Sequence, residues 1–272
     1  MKFAFFGGLY SNYLALEVAI SDALTRNVDK MYCLGDLGAF GPHPDRVFPL
    51  LHNNSIACVQ GNYDESIGNE LDDCQCGYTD PRDNHFAQVS YDYTLQNTSD
   101  DNKAWLRELP KEIRLNVDGL SILLCHGSPR RTNEFLWEST TSTAFLDRLC
   151  TEHKADVIVG THSGIHWQHK LQAGRRYINV GVLGRPENNG QTCVWYAIVR
   201  TGDDADPRST CQLNHGITVS VDFISVEYDH QRLATEMRQE SLPQEFIDTV
   251  LNGWWTTCLE ILPSRERRAG QY

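Results

Sequence analysis

Short apolar runs that stop at glycine and then release a polar, ligand-competent residue constrain this chain more than any other feature. Lys2 to Phe6 ends at Gly7-Gly8, Met31 to Leu34 at Gly35-Asp36, and Ile56 to Val59 at Gly61-Asn62. Runs of this length, bounded by glycine, read as strands buried on both faces. Between the first two lies a helical stretch with Leu14, Leu16, Val18, Ala19, Ala23 and Leu24, capped near Ser11 or Asn12. After the turn Gly41-Pro42-His43-Pro44, a second helix carries Val47, Leu50 and Leu51. Strand-helix-strand-helix-strand at this spacing predicts an α/β fold with a partly parallel sheet.

The pattern changes downstream. Residues 65–110 are polar and helical in part, and are read as an insert or lid. Ile113 to Val117 and Leu120 to Cys125 flank Asp118-Gly119, a hairpin signal. A helix is expected over Thr143 to His153, with strands at Val157 to Val159, Gln168 to Leu171, Tyr177 to Val180, Cys193 to Arg200 and Ile217 to Val226. Residues 201–210 read as a flexible loop, and Glu240 to Gly253 as a closing helix. Without a linker-like or repeated segment, 1–272 is expected to be one domain, with 211–272 completing it.

Composition excludes several functions. Acidic residues outnumber basic ones by 36 to 24, a net charge of −12, which argues against a broad nucleic-acid-binding face. No apolar stretch is long enough to span a membrane, and the apolar N-terminus is too short for a signal peptide. The expectation is a cytoplasmic protein whose nine cysteines are reduced thiols. Cys74-Gln75-Cys76, in a polar loop, suggests loop packing or redox sensitivity rather than a second metal site.

In open α/β sheets ligands gather at the carboxyl ends of strands. Four strand ends deliver Asp36, Asn62, His126 and His162. Each alone has an ordinary structural explanation, but their ordered recurrence suits a divalent Mn, Fe or Zn ion.

These residues carry a resemblance. Gly35-Asp36, Gly61-Asn62-Tyr63-Asp64 and His126-Gly127, in that order, resemble the calcineurin-like metallophosphoesterases. Cys33 to Leu37, Asp72 to Tyr78, His126 to Arg131, Asn179-Val180-Gly181 and Gly184-Arg185-Pro186 are similar to a bacterial phosphodiesterase-like branch. The resemblance implies a four-layer fold, two mixed β-sheets packed as a sandwich and flanked by helices. It also implies a two-metal centre, from which this sequence departs. Aligned on Ser11-Asn12, Gly8 and Tyr10 stand where the family has Asp and His. Aligned on Trp167, Gly164 replaces the second His of the last motif. Every ligand private to the first ion is absent, whereas Asp36, Asn62, His126 and His162, the set for the second, are present. A mononuclear derivative is expected.

With one ion, other groups must carry more of the transition-state charge. Arg130 and Arg131 are candidates to hold phosphate, with a solvated surface as the alternative. Tyr10 either points its hydroxyl into the emptied site or simply packs. Tyr63-Asp64 stands where many relatives have a His-Asp acid pair, and tyrosine is a poor acid at neutral pH. Asp64 then orients a neighbour such as His126. His166 is a candidate replacement acid or an exposed edge residue. Trp254-Trp255 reads as core packing or a homodimer contact. The implied activity is hydrolysis of a small phosphorylated metabolite, monoester or diester, by direct water attack. The alternatives are a phosphate-ester-binding pseudoenzyme and a different reaction at the altered centre.

Overall fold

The structure, a computed structural model, describes residues 1–117, 119–202, 211–212 and 216–268. Eleven strands are described: β1 (Lys2–Phe6), β2 (Lys30–Cys33), β3 (Ala57–Cys58), β4 (Glu112–Val117), β5 (Leu120–Cys125), β6 (Val157–Gly160), β7 (His166–Lys170), β8 (Arg176–Val180), β9 (Val194–Thr201), β10 (Cys211–Gln212) and β11 (Thr218–Val226). They form a six-stranded sheet in the order β10-β11-β9-β1-β2-β3 and a five-stranded sheet in the order β4-β5-β6-β8-β7. Both sheets are mixed. β1, β2 and β3 run parallel, as do β5, β6 and β8, and the remaining pairings are antiparallel.

Alternation along the strands shows how the layers stack. In β1, Phe3 and Phe5 point into the core between the sheets, whereas Ala4 and Phe6 face a helical layer. In β5, Ile122 and Leu124 share the inter-sheet core, while Leu123 and Cys125 face α6 (Thr143–Glu152) through Leu146, Leu149 and Cys150. Both faces are covered, so the runs read as continuous rather than alternating apolar sequence. A one-residue slip would exchange the two cores wholesale, which fixes the register. The result is the expected four-layer sandwich, helix–sheet–sheet–helix.

The outer layer of the six-stranded sheet begins with α1 (Tyr13–Thr25) and α2 (Val47–Asn53). Asn12 caps α1, its Oδ1 accepting from the Ala15 N–H at 3.0 Å, while its Nδ2 donates to the Gly184 carbonyl. One amide thereby starts the helix and pins the loop after β8 to the loop after β1. The 65–110 region forms α3 (Asn62–Asn69), α4 (Pro81–Asn97) and α5 (Asp100–Arg107).

The C-terminal region departs from expectation. The closing helix expected over 240–253 is α8 (Gln244–Asn252), preceded by an unexpected α7 (His230–Gln239) and followed by α9 (Ser264–Arg268). The chain breaks between the first two at Ser241, which is left-handed (φ 57°), and Pro243 occupies the position preceding α8. Proline is tolerated there but cannot continue a helix. The flexible loop expected over 201–210 falls, beyond its first two residues, outside the described residues, as does Asp118 of the hairpin turn. No described helix is long and apolar enough to cross a membrane.

Candidate metal centre

The parallel strands place their carboxyl ends along one edge, and the loops leaving them build the site. Asp36 follows β2, Asn62 opens α3 after β3, His126 follows β5 and His162 follows β6. All four are buried. Asp36 and His162 are held in the left-handed region, at φ 56° and 70°. Backbone strain of this kind in non-glycine residues persists where surrounding structure enforces it, commonly at functional sites.

The enforcing contacts are visible. Asp64, on α3, accepts the N–H groups of Asp36 (2.8 Å), Leu37 (2.9 Å) and Gly61 (2.8 Å), tying the β2 loop to the start of α3. The Tyr63 N–H donates to Asp36 Oδ1 at 3.1 Å, leaving Oδ2 to face His126. Gly61 must be glycine, because a Cβ there would collide with the Asp36 carboxylate. The Thr161 N–H donates to the His126 carbonyl (2.6 Å), and Asn179 Nδ2 donates to the Thr161 carbonyl and Ser163 Oγ, which locks the loop carrying His162.

Three side-chain atoms converge. His126 Nε2 lies 3.2 Å from Asp36 Oδ2 and 3.2 Å from His162 Nδ1. Candidate ligand atoms of Asp36, His126 and His162 all fall within 4.8 Å of one another. His126 Nδ1 sits 2.6 Å from the Leu34 carbonyl, and donating its proton there frees Nε2 as a lone-pair donor. Asn62 donates through Nδ2 to the Cys74 carbonyl (2.8 Å), which leaves its buried Oδ1 without any donor. A buried acceptor so orphaned is costly unless a cation or donor meets it. Two imidazoles, a carboxylate and an amide oxygen match the donor set of a borderline divalent ion.

The electrostatics agree. Burial would raise the Asp36 carboxyl, but attraction to His126 outweighs it and holds Asp36 below its ordinary value. Burial lowers His126, yet the Asp36 carboxylate more than offsets this and leaves it raised. His162 is pushed down to about 3, first by burial and then by repulsion from His126, which keeps it neutral. Burial and the neighbouring Asp36 charge raise Asp64 to about 6.

Other predicted residues are distributed more widely. Tyr10 and Tyr63 line a cavity together with Asp36 and His162. The Tyr63 hydroxyl is 3.2 Å from both the Ala87 carbonyl and Ser90 Oγ, and burial raises its pKa above the ordinary value. Asp64 has both carboxylate oxygens committed to backbone, so its place is to position the loop. Arg130 is exposed, ion-paired with Glu134 at 2.8 Å and stacked over Phe145, and Arg131 is also exposed. Neither lines the cavity. His166 begins β7 with Nδ1 2.6 Å from Glu187 Oε1 and its ring against Trp195 and Phe223, also outside the cavity lining. The expectation of nine reduced thiols is corrected at one point: Cys74 and Cys76 are joined as a disulfide.

The residue sequence reasoning missed is Arg185. It follows β8 as His162 follows β6, and it lines the cavity beside Asp36 and His162. Its signal was present: Gly184-Arg185-Pro186 closely follows the predicted strand Tyr177 to Val180, and the strand-end rule applied there would have selected it.

Comparison with known proteins gives one family. The model described as "Calcineurin-like phosphoesterase superfamily domain" matches residues 1–204. A protein called "Uncharacterized protein MJ0912", from Methanocaldococcus jannaschii, is 23% identical over 249 residues, covering 87% of this chain and 91% of its own. Among solved structures, a metallophosphoesterase from Sphaerobacter thermophilus aligns with a TM-score of 0.65 at 21% identity, covering 93% of this chain and 99% of that one. The hypothetical protein PH1004 from Pyrococcus horikoshii OT3 aligns at 0.72 and 19%, covering 94% and 99%. At these identities the structures establish the shared fold.

Proposed function

The chain belongs to the calcineurin-like phosphoesterase superfamily, and on that premise we propose that it is a cytoplasmic metal-dependent hydrolase of a small phosphorylated metabolite, working with one divalent ion. The observation that carries this reading is the convergence of Asp36 Oδ2, His126 Nε2 and His162 Nδ1, with Asn62, at the start of α3, keeping a buried Oδ1 that has no donor. Asp36, Asn62, His126 and His162 would hold Mn, Fe or Zn. Such an ion supplies Lewis-acid stabilisation of a phosphoryl oxygen and lowers the pKa of water at the site.

The protein's own residues do the rest. Asp64 holds the Asp36 loop rigid, so the carboxylate reaches the site without reorganisation. Leu34 orients His126, and the ring of Phe135, 4.2 Å from that of His162, packs against the second imidazole. Tyr10, Phe40, Phe86 and Phe246 make the cavity wall apolar, which excludes water and strengthens the electrostatics inside.

One observation favours the non-catalytic alternative. The position where relatives carry an acid histidine is Tyr63, whose hydroxyl is engaged with Ala87 and Ser90. A substrate whose leaving group needs no proton would bypass that deficit. Hydrolysis of p-nitrophenyl phosphate and bis-p-nitrophenyl phosphate, with each ion and with His162→Ala as control, separates the readings. Turnover lost in the variant supports hydrolysis. Phosphate binding without turnover under any ion supports the binding protein.

A further inference from the structure

Among the described residues, Arg185 is a buried cation that forms no ion pair. It is 5% exposed, and its Nε has no hydrogen-bond partner. Burying a charge unpaired is expensive, and fold stability alone gives no reason to keep it. What it does contact are aromatic faces. Its guanidinium carbon lies 3.7 Å from the centroid of Trp255, 5.6 Å from Phe40 and 5.8 Å from Tyr10. Contacts of this kind use the π faces and leave the guanidinium's N–H donors available to an oxyanion.

The fold goes to some length to place it. Leu183 and Gly184 donate their N–H groups to the Gly8 carbonyl at 2.9 Å, and Asn12 clasps the Gly184 carbonyl. Trp255 Nε1 donates to the Pro186 carbonyl at 2.8 Å, so the platform and the arginine's own loop are one unit. Gly164 completes the fit. At φ 84°, a Cβ there would stand 2.8 Å from the Trp255 ring and 3.4 Å from Arg185 Nη2. Gly164 and Tyr10, two positions without metal-ligating side chains, are therefore where the guanidinium sits.

We propose that Arg185 is the phosphoryl-binding residue of this cavity, its guanidinium supplying next to the metal cluster the second positive charge that Gly8, Tyr10 and Gly164 cannot hold as an ion. The ligand is a tetrahedral phosphate group, monoester or diester, gripped through in-plane N–H donors. This deepens the reading of a mononuclear phosphoesterase and rests on it for the identity of the reaction, though not for the anion site itself.

The test is calorimetric binding of inorganic phosphate to the whole protein, stripped of metal and reloaded, for wild type, Arg185→Ala, Arg185→Met and Arg185→Lys. Met keeps the apolar stem on Trp255 if Ala leaves the loop unsupported, and circular dichroism confirms the fold of each variant. Metal-free wild type should bind phosphate, and the neutral variants should bind about 10- to 100-fold more weakly, the scale of a bidentate charge-assisted contact. Lys should recover part of the loss, and metal content should be the same in all four. Equal phosphate affinity in wild type and Arg185→Met overturns the proposal. Wild type that takes up no metal yet binds phosphate through Arg185 overturns the mononuclear reading and leaves this one standing.

Discussion

Two neighbouring groups of residues around the cavity present opposite solutions to the same electrostatic problem. On one side, Asp36, His126 and His162 bring ligand atoms within 4.8 Å of one another, and the buried Asn62 Oδ1 on the neighbouring loop has no donor. On the other, Gly8, Tyr10 and Gly164 offer no ligand, and a buried guanidinium stands on an aromatic platform instead. The first group concentrates negative and neutral donors, the second a fixed positive charge. A permanent cation needs no metal and no deprotonated ligand, but it cannot lower the pKa of water as an ion does. On the proposed reading, a fixed guanidinium supplies charge where Gly8, Tyr10 and Gly164 offer no ion ligand.

Removing a ligand breaks the first group outright. Asp36→Ala or His126→Ala should lose the ion and lower kcat/KM on the order of 10³-fold, the several kcal/mol a metal supplies to phosphoryl charge. Elemental analysis and steady-state kinetics on the same preparation check both. The next effect concerns the scaffold that aims Asp36. Asp64→Ala strands three buried N–H groups and should cost about 3 kcal/mol of stability, read from urea unfolding.

Acid sharpens the comparison, because protons compete for one group only. An ion takes the unprotonated imidazole, while Asp36 holds the His126 pKa above the ordinary histidine value in the metal-free protein. Metal affinity should therefore fall about tenfold per pH unit below that pKa, with release of a proton on binding. Phosphate binding through Arg185 should not show this fall, since guanidinium keeps its charge throughout. Titrations in two buffers of different ionisation enthalpy count the protons. The smallest effect is expected at Arg130, already paired with Glu134 on the surface. Arg130→Ala should change KM by less than about twofold, as exposed ion pairs contribute little.

Much of this was legible in the sequence because buried parallel strands leave an unmistakable pattern. Phe3 to Phe6, Ile122 to Cys125 and Val157 to Val159 are apolar on both faces, and close to the glycine at the end of the last two stand His126 and His162. Helix α7 escaped because it buries only Leu233, Ala234 and Met237 in an otherwise charged sequence, too narrow a stripe to stand out. Arg130 and Arg131 looked suited to phosphate because they follow His126 in the chain, yet chain proximity did not aim them into the cavity. Arg185 was less conspicuous, since its importance comes from Trp255, seventy residues on, and from contacts with Gly8 and Asn12 near the other terminus. The strand-end rule points to Arg185, but nothing local shows that its side chain reaches the cavity.

Metal stoichiometry tests the central claim most directly. Elemental mass spectrometry on protein purified without added metal or chelator, and again after reconstitution with Mn, Fe or Zn, should give one equivalent per chain in wild type and none in His162→Ala. Two equivalents in wild type, with one surviving in His162→Ala, would contradict the account, because a second ion would then share the space assigned to the Arg185 guanidinium.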